Sequence, residues 1–211
     1  MRAGRLGQLF YERSACVVAR DLLGKRLVRS VNDRSLLNGR ILSGIIVETE
    51  AYCDGDELDL ACHGDRANGG RPTPRTAVMF GPPGFAYVYF TYGMHWMFNV
   101  VTGEEGQANA VLIRALEPMA GVELMTENRG GRARNELTNG PAKLTQALAI
   151  DKSLNGSNLF APDGVVWIEN SPAAPPEAIS TGPRIGLGKT PEPWLSIPWR
   201  YWVRDNPFVS R

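Results

Sequence analysis

The segment VETEAY at residues 47–52 combines two carboxylates and a tyrosine in a spacing that suits catalysis. Alternate side chains of a strand share one face, so Glu48, Glu50 and Tyr52 are expected together, opposite Val47. Carboxylates at the end of an otherwise apolar strand either face solvent or are held in place for a reaction. A positioned carboxylate can take a proton from water, so this segment is a candidate source of general-base chemistry.

A single cation, Arg114, interrupts the apolar segment 110–116. A guanidinium buried in such a strand requires a carboxylate partner. Glu48 or Glu50 could be that partner, and Glu117 is the alternative as a local surface pair. The sequence therefore predicts an ion pair between two strands and leaves the acidic residue open.

Residues 85–99 are unusually aromatic. The aromatic residues of this segment are Phe85, Tyr87, Tyr89, Phe90, Tyr92, Trp96 and Phe98. Aromatic strands are most often core, which is the simplest interpretation of Tyr87 and Tyr89 on one face. Tyr92, however, is expected at the tip of a hairpin, where it adds little to folding. A projecting aromatic side chain there suits a wedge that enters a stack of bases.

The elements that must position these groups follow from hydrophobic patterning and turn signals. The pattern predicts a helix at 15–23, strands at 25–31, 40–52, 85–90, 95–102 and 109–116, helices at 120–128 and 141–150, and strands at 165–169, 184–188 and 200–204. Turn residues at 32–39 favour a hairpin, and the long acidic loop 53–84 is expected to be functional. Strands that follow one another indicate an α+β fold. We expect a single domain over residues 1–211, with a curved, largely antiparallel sheet flanked by helices and a protruding hairpin.

Composition excludes several classes of function. The formal net charge is only +1, so charge alone gives no sign of a nucleic-acid partner. No apolar run is long enough for a membrane span, and the start has no secretory signal pattern. Three cysteines without C-x-x-C spacing fit a reducing compartment. Cys53, Cys62 and His63 lack the close ligand pair of a zinc site, so no metal and no cofactor are expected.

Four segments together resemble the alkyladenine (3-methyladenine) DNA glycosylase family, which removes alkylated and other damaged purines. They are VETEAY (47–52), YVYFTYGMHWMFNV (87–100), VLIRALEP (111–118) and NGPAKLTQALAI (139–150). The resemblance runs in order along nearly the whole chain. No single segment is specific, but the combination is.

The resemblance implies a role for each matching residue. Glu50 matches the general base that activates a water against C1′ of a flipped nucleotide, and Arg114 matches the residue that helps to hold that carboxylate and water. The other implied site residues are Tyr52, His63 and Tyr89 as walls around the flipped base, Tyr92 as the intercalating side chain, and Asn99 as the group that disfavours normal guanine. The implied partner is double-stranded DNA with a damaged purine, bound by a monomer in the cytoplasm, at the nucleoid if the source is prokaryotic.

Cations of the acidic loop and one lysine at a helix start are candidates for contact with the DNA backbone. Arg71, Arg75 and Lys143 are the candidates, with Arg66 beside them. The basic loop 129–134 is either solvated or in contact with phosphate.

The expected reaction is hydrolysis of the N-glycosidic bond without strand cleavage, because no lysine is placed beside Glu50 for a Schiff base. One alternative is a non-catalytic module that binds damaged DNA, although such a module does not need Glu50 beside Arg114. A hydrolase of free nucleosides is a second alternative, and Tyr92 argues against it because a free nucleoside has no base stack to fill.

Overall fold

The computed structural model describes residues 4–31, 40–53, 59–64 and 70–210. The strands of this part are β1 Arg26–Val31, β2 Arg40–Tyr52, β3 Ala86–Thr91, β4 His95–Val101, β5 Ala110–Ala120, β6 Val166–Glu169, β7 Ile179–Gly182 and β8 Arg200–Val203. The α-helices are α1 Gln8–Tyr11, α2 Ala15–Asp21, α3 Val122–Asn128 and α4 Pro141–Ala147. Short 3-10 turns lie at Ala77–Phe80, Arg134–Glu136, Lys152–Leu154 and Pro176–Ala178.

All eight described strands join one sheet, in which six follow the order β3-β4-β5-β2-β1-β6 and β8 pairs with both β2 and β7. Every pairing is antiparallel. The long strand β2 is central. One of its edges pairs with β5, while its other edge pairs first with β1 and then, from Glu48 to Glu50, with β8. The pairing of β2 with β5 is irregular around Glu48, where bulges bend a strand and increase its twist. The predicted α+β fold with a curved antiparallel sheet is confirmed.

The core lies between the sheet and the helices. Apolar residues of α2, such as Val18 and Ala19, are fully buried, as are Leu144 and Ala147 of α4. The buried apolar positions of α2 and of α4 recur three or four residues apart, which is the spacing of a helix with one apolar face. In the described part of the chain, no helix is long and apolar enough to span a membrane.

One predicted strand is wrong. Residues 184–188 form no strand, and β7 lies just before them at Ile179–Gly182. Gly186 and Gly188 have φ values of +83° and +59°, which are incompatible with extended pairing. The sequence prediction also lacks the short helix α1. The turn predicted at 32–39 lies outside the described residues.

Candidate active site

A cavity of about 430 Å³ opens beside the ends of β2 and β3, the start of β4 and the first half of β5. Five side chains singled out by the sequence line it. They are Tyr52, His63, Tyr89, Tyr92 and Arg114. The alternation of β2 and β3 delivers Tyr52 and Tyr89, whereas His63 comes from the loop after β2. The structure thus brings together residues that are far apart in sequence.

Aromatic rings form one wall of the cavity. The His63 ring lies 4.7 Å from the Tyr89 ring, centroid to centroid, at 73°, and the Tyr87 ring lies 5.2 Å from that of Tyr89. His63 Nδ1 and the Tyr87 hydroxyl are 3.1 Å apart and share a hydrogen bond. The imidazole is therefore held through one nitrogen, while its ring stays against Tyr89.

His63 is held neutral. Burial, reinforced by the charge of Arg75, lowers the pKa of His63 to about 4. Arg75 also lies over the Tyr89 ring, with its Cζ 5.0 Å from the centroid. At neutral pH this wall offers an uncharged imidazole to a ligand.

We expect an NMR titration of ring-labelled His63 to show a midpoint at about pH 4. The unfolded chain takes up this proton at about pH 6.5, so the folded state loses stability as the pH falls from there toward 4. In Arg75→Gln the midpoint should rise, because a nearby cation is gone. A wild-type midpoint at the unperturbed value would contradict the buried position of the ring.

Glu50 is fully buried and is not itself among the described residues that line the cavity, but its polar partners are. Its Oε2 accepts a hydrogen bond of 2.8 Å from the Tyr52 hydroxyl, and its Oε1 accepts one of 2.6 Å from the Ile185 backbone N–H. Arg114 Nη1 forms an ion pair with Oε1 at 3.1 Å. All three partner residues line the cavity. Burial and the charge of Glu50 raise the pKa of Tyr52 well above its ordinary value, so its hydroxyl remains a donor.

Arg114 contacts both of the candidate carboxylates on β2, Glu48 and Glu50. Its Nε donates to Glu48 at 2.9 Å while its Nη1 faces Glu50. Burial opposes the charge, but Glu50 and Glu48 outweigh it and raise the pKa of Arg114. Glu117, the alternative partner, instead accepts a hydrogen bond from Asn206. The guanidinium is therefore a fixed cation between two carboxylates.

The sequence prediction misses two residues beside the site, because it places both in a strand at 184–188. Ile185 supplies the backbone N–H to Glu50, and Arg184 forms a fully buried ion pair with Asp59. Arg184 also lies over the Tyr52 ring, with its Cζ 4.7 Å from the centroid. Glycines at 186 and 188 and the cation at 184 are the only local signals, and none of them identifies Asp59 as a partner.

The remaining predicted site residues lie at varying distances from the cavity. Asn99 is buried, donates through Nδ2 to the Tyr87 carbonyl at 3.1 Å, and is not among the described residues that line the cavity. Lys143 donates to Asn139 at 2.9 Å. Arg71 is exposed, and Arg66 lies outside the described residues. Over the described ranges, no group of His, Cys, Asp and Glu could hold a metal ion.

The hairpin between β3 and β4 presents Tyr92 to solvent. The side chain is 78% exposed, and the backbone φ is +51°, in the left-handed region that bulky residues avoid. Gly93 follows with a φ of +67°, as the tight turn requires. An exposed aromatic residue in a strained conformation contributes little to folding, and this one lies at the cavity rim, where a ligand would meet it.

A cavity with aromatic walls above a carboxylate–guanidinium pair is suited to hold a planar ring and to bring water to a bond beside it. The family model described as methylpurine-DNA glycosylase matches residues 9–207. The chain therefore belongs to the methylpurine-DNA glycosylase family.

Bacterial relatives agree with this assignment. A protein of Carboxydothermus hydrogenoformans is 47% identical over 206 residues, which cover 98% of each chain. One of Desulfitobacterium hafniense is 46% identical over 214 residues, again 98% of each chain. One of Chlorobaculum tepidum is 42% identical over 208 residues, covering 98% of this chain and 91% of its own. All three carry the name "Putative 3-methyladenine DNA glycosylase".

Proposed function

We propose that this protein is a monofunctional DNA glycosylase that hydrolyses the N-glycosidic bond of alkylated or deaminated purines in duplex DNA. The observation that carries the proposal is the position of Glu50 beneath a cavity walled by Tyr52, His63 and Tyr89. Family membership and the names of the relatives support the substrate class.

In the proposed reaction, Glu50 orients a water molecule that attacks C1′ of the nucleotide. The bond from C1′ to the purine nitrogen breaks with its electron pair going to the base, and the water proton passes to Glu50. Cleavage of such bonds proceeds through an oxocarbenium-like state, which a nearby carboxylate stabilises. Arg114 and the Ile185 N–H hold that carboxylate in a fixed orientation.

The aromatic walls give the pocket its proposed preference. A purine alkylated at a ring nitrogen carries positive charge, which electron-rich rings attract by about 0.5–2 kcal/mol. A neutral lesion such as hypoxanthine leaves poorly unless it is protonated. His63, held neutral, can still donate or accept a hydrogen bond at the ring nitrogen that does not face Tyr87.

The absence of strand cleavage is also proposed. All four lysines lie in the described part of the chain, and none lines the cavity. Lys25 donates to Asn170 and Ser171, and Lys143 to Asn139. No lysine of the described cavity lining can therefore form a Schiff base, and water is the proposed nucleophile.

The proposed partner is duplex DNA bound by a monomer, with residues 1–211 acting as one domain. Arg71, Arg75 and Lys143 are proposed contacts to the DNA backbone, and of these Arg75 lies over the Tyr89 ring of the cavity wall. A substrate of chromosomal DNA would place the protein at the nucleoid of a bacterial cytoplasm. We also propose that Asn99 disfavours normal guanine, and that it does so from behind the aromatic wall, where it donates to the Tyr87 carbonyl.

The direct test is a base-release assay on duplexes that carry one 7-methylguanine, hypoxanthine or ethenoadenine. We expect release of the free base and an intact abasic strand, and no release from undamaged duplex. Lesion binding without release would favour the non-catalytic binding module. Equal turnover of free nucleosides would favour a nucleoside hydrolase.

Tyr92→Ala should lose most of the ability to flip the lesion. Stacking of one base on an aromatic ring is worth about 1–3 kcal/mol, which corresponds to a loss in the flipped population of roughly 5- to 150-fold. Ethenoadenine fluorescence on mixing with enzyme measures extrusion from the stack.

Leu9→Ala is the matched control for Tyr92→Ala, because Leu9 is also an apolar residue with 78% exposure but lies on α1. It should behave like the wild type. Normal flipping by Tyr92→Ala would refute the intercalating role of this residue.

A further inference from the structure

Behind the proposed site, Glu48 collects four donors on one fully buried carboxylate. Arg114 Nε donates at 2.9 Å and Arg200 Nε at 2.7 Å. Ser210 donates twice, from its backbone N–H at 2.7 Å and from its hydroxyl at 2.8 Å. Such a set of charge-assisted bonds fixes the carboxylate rigidly.

The same serine also contacts the guanidinium that faces Glu50. Arg114 Nη2 donates to the Ser210 hydroxyl at 3.3 Å, so Ser210 accepts from Arg114 and donates to Glu48. The hydrogen bonds of Arg114 thus go to Glu48 and Ser210, and Nη1 reaches Glu50 as an ion pair at 3.1 Å. Glu48 and Ser210, which do not line the cavity, therefore set the orientation of the guanidinium.

We propose that Glu48 and Ser210 are positioning residues that hold the Arg114 guanidinium so that its Nη1 stays on Glu50. Their effect on the rate of base release rests on the proposed function, whereas their positioning of the Arg114 side chain does not. The charges of this group balance, because Arg114 lies between Glu48 and Glu50 and Arg200 supplies a second cation to Glu48. The segment after β8 therefore takes part in the site although it lies outside the cavity lining.

Ser210 allows a mild test, because its side chain is only half-buried and the backbone N–H stays in every variant except proline. Ser210→Ala should lower the single-turnover rate of base release about tenfold, since displacement of catalytic groups by about 1 Å can cost up to a hundredfold. The dissociation constant for lesion DNA should not change. Ser210→Thr keeps the hydroxyl and should restore the rate, which a packing defect would not explain.

Val209→Ala is the matched control. Val209 packs on the small apolar cluster of Val47, Ala115 and Phe208. The Val209→Ala substitution should lower the stability of the fold without a selective loss in the rate of base release. The proposal would be overturned if the wild type is active and both Ser210→Ala and a folded Glu48→Gln release base at the wild-type rate.

A second readout does not depend on activity. In protein labelled with ¹⁵N-arginine, the Nε–H of Arg114 should exchange slowly with solvent, because it is buried on Glu48. Its exchange should speed up in Ser210→Ala but not in Val209→Ala. If the wild type releases no base, the proposed function fails, but the exchange measurement still tests whether Ser210 positions Arg114. Unchanged exchange in Ser210→Ala would refute that positioning role.

Discussion

Glu50→Gln should reduce the single-turnover release of a damaged purine about a thousandfold, within the range that a general base contributes. The variant keeps the shape of the side chain but cannot take a proton from water. Its amide oxygen can still accept from the Ile185 N–H and face Arg114, and the Tyr52 hydroxyl can turn to accept from the amide nitrogen. Binding of lesion DNA should therefore persist, as a gel-shift titration beside the release assay would show.

The control for Glu50→Gln is Glu117→Gln, the same change on the neighbouring strand β5. Glu117 accepts a hydrogen bond from Asn206 and does not face Arg114 in the described structure. Its replacement should leave release at the wild-type rate. Equal rates for Glu50→Gln and the wild type would remove Glu50 from the mechanism, and equal losses in both variants would indicate a general defect.

Much of the site could be predicted because it depends on short-range rules. Alternation along β2 places Glu48, Glu50 and Tyr52 on one face, and a lone arginine in an apolar strand demands an acid from a neighbouring strand. These rules do not identify which carboxylate pairs with Arg114, since that choice depends on the register of β2 against β5. The structure shows that Arg114 uses both.

The part that could not be predicted is held by contacts between distant segments. Arg184 looks like the start of a strand, yet its partner Asp59 lies 125 positions away in the loop after β2. Similarly, Ser210 carries no local sign that it reaches Glu48. Neither periodicity nor turn chemistry encodes such pairs, because they depend on how the sheet curls.

Asp59→Ala should destabilise the fold by about 3–5 kcal/mol, the usual cost of leaving a buried charge without its partner. Both side chains of the Arg184–Asp59 pair are fully buried, with N–O distances of 2.5 and 2.8 Å. Arg184 also donates to the backbone carbonyls of Ala51 and Trp194. It therefore ties the loop after β2 to the end of β2 and to the segment before β8. The free energy of unfolding in urea measures the cost.

A double-mutant cycle separates the pair from the packing around it. Arg184→Met alone should cost about as much as Asp59→Ala, but the double variant should cost less than the sum because neither charge is left buried alone. The exposed pair Arg13–Asp21, at 38% and 42% side-chain exposure, is the comparison, and Asp21→Ala should cost no more than about 1 kcal/mol. Strict additivity at Arg184 and Asp59 would mean that the ion pair does not hold the loop. Because Arg184 lies over the Tyr52 ring, loss of the pair should also weaken lesion binding at temperatures where the variant is still folded.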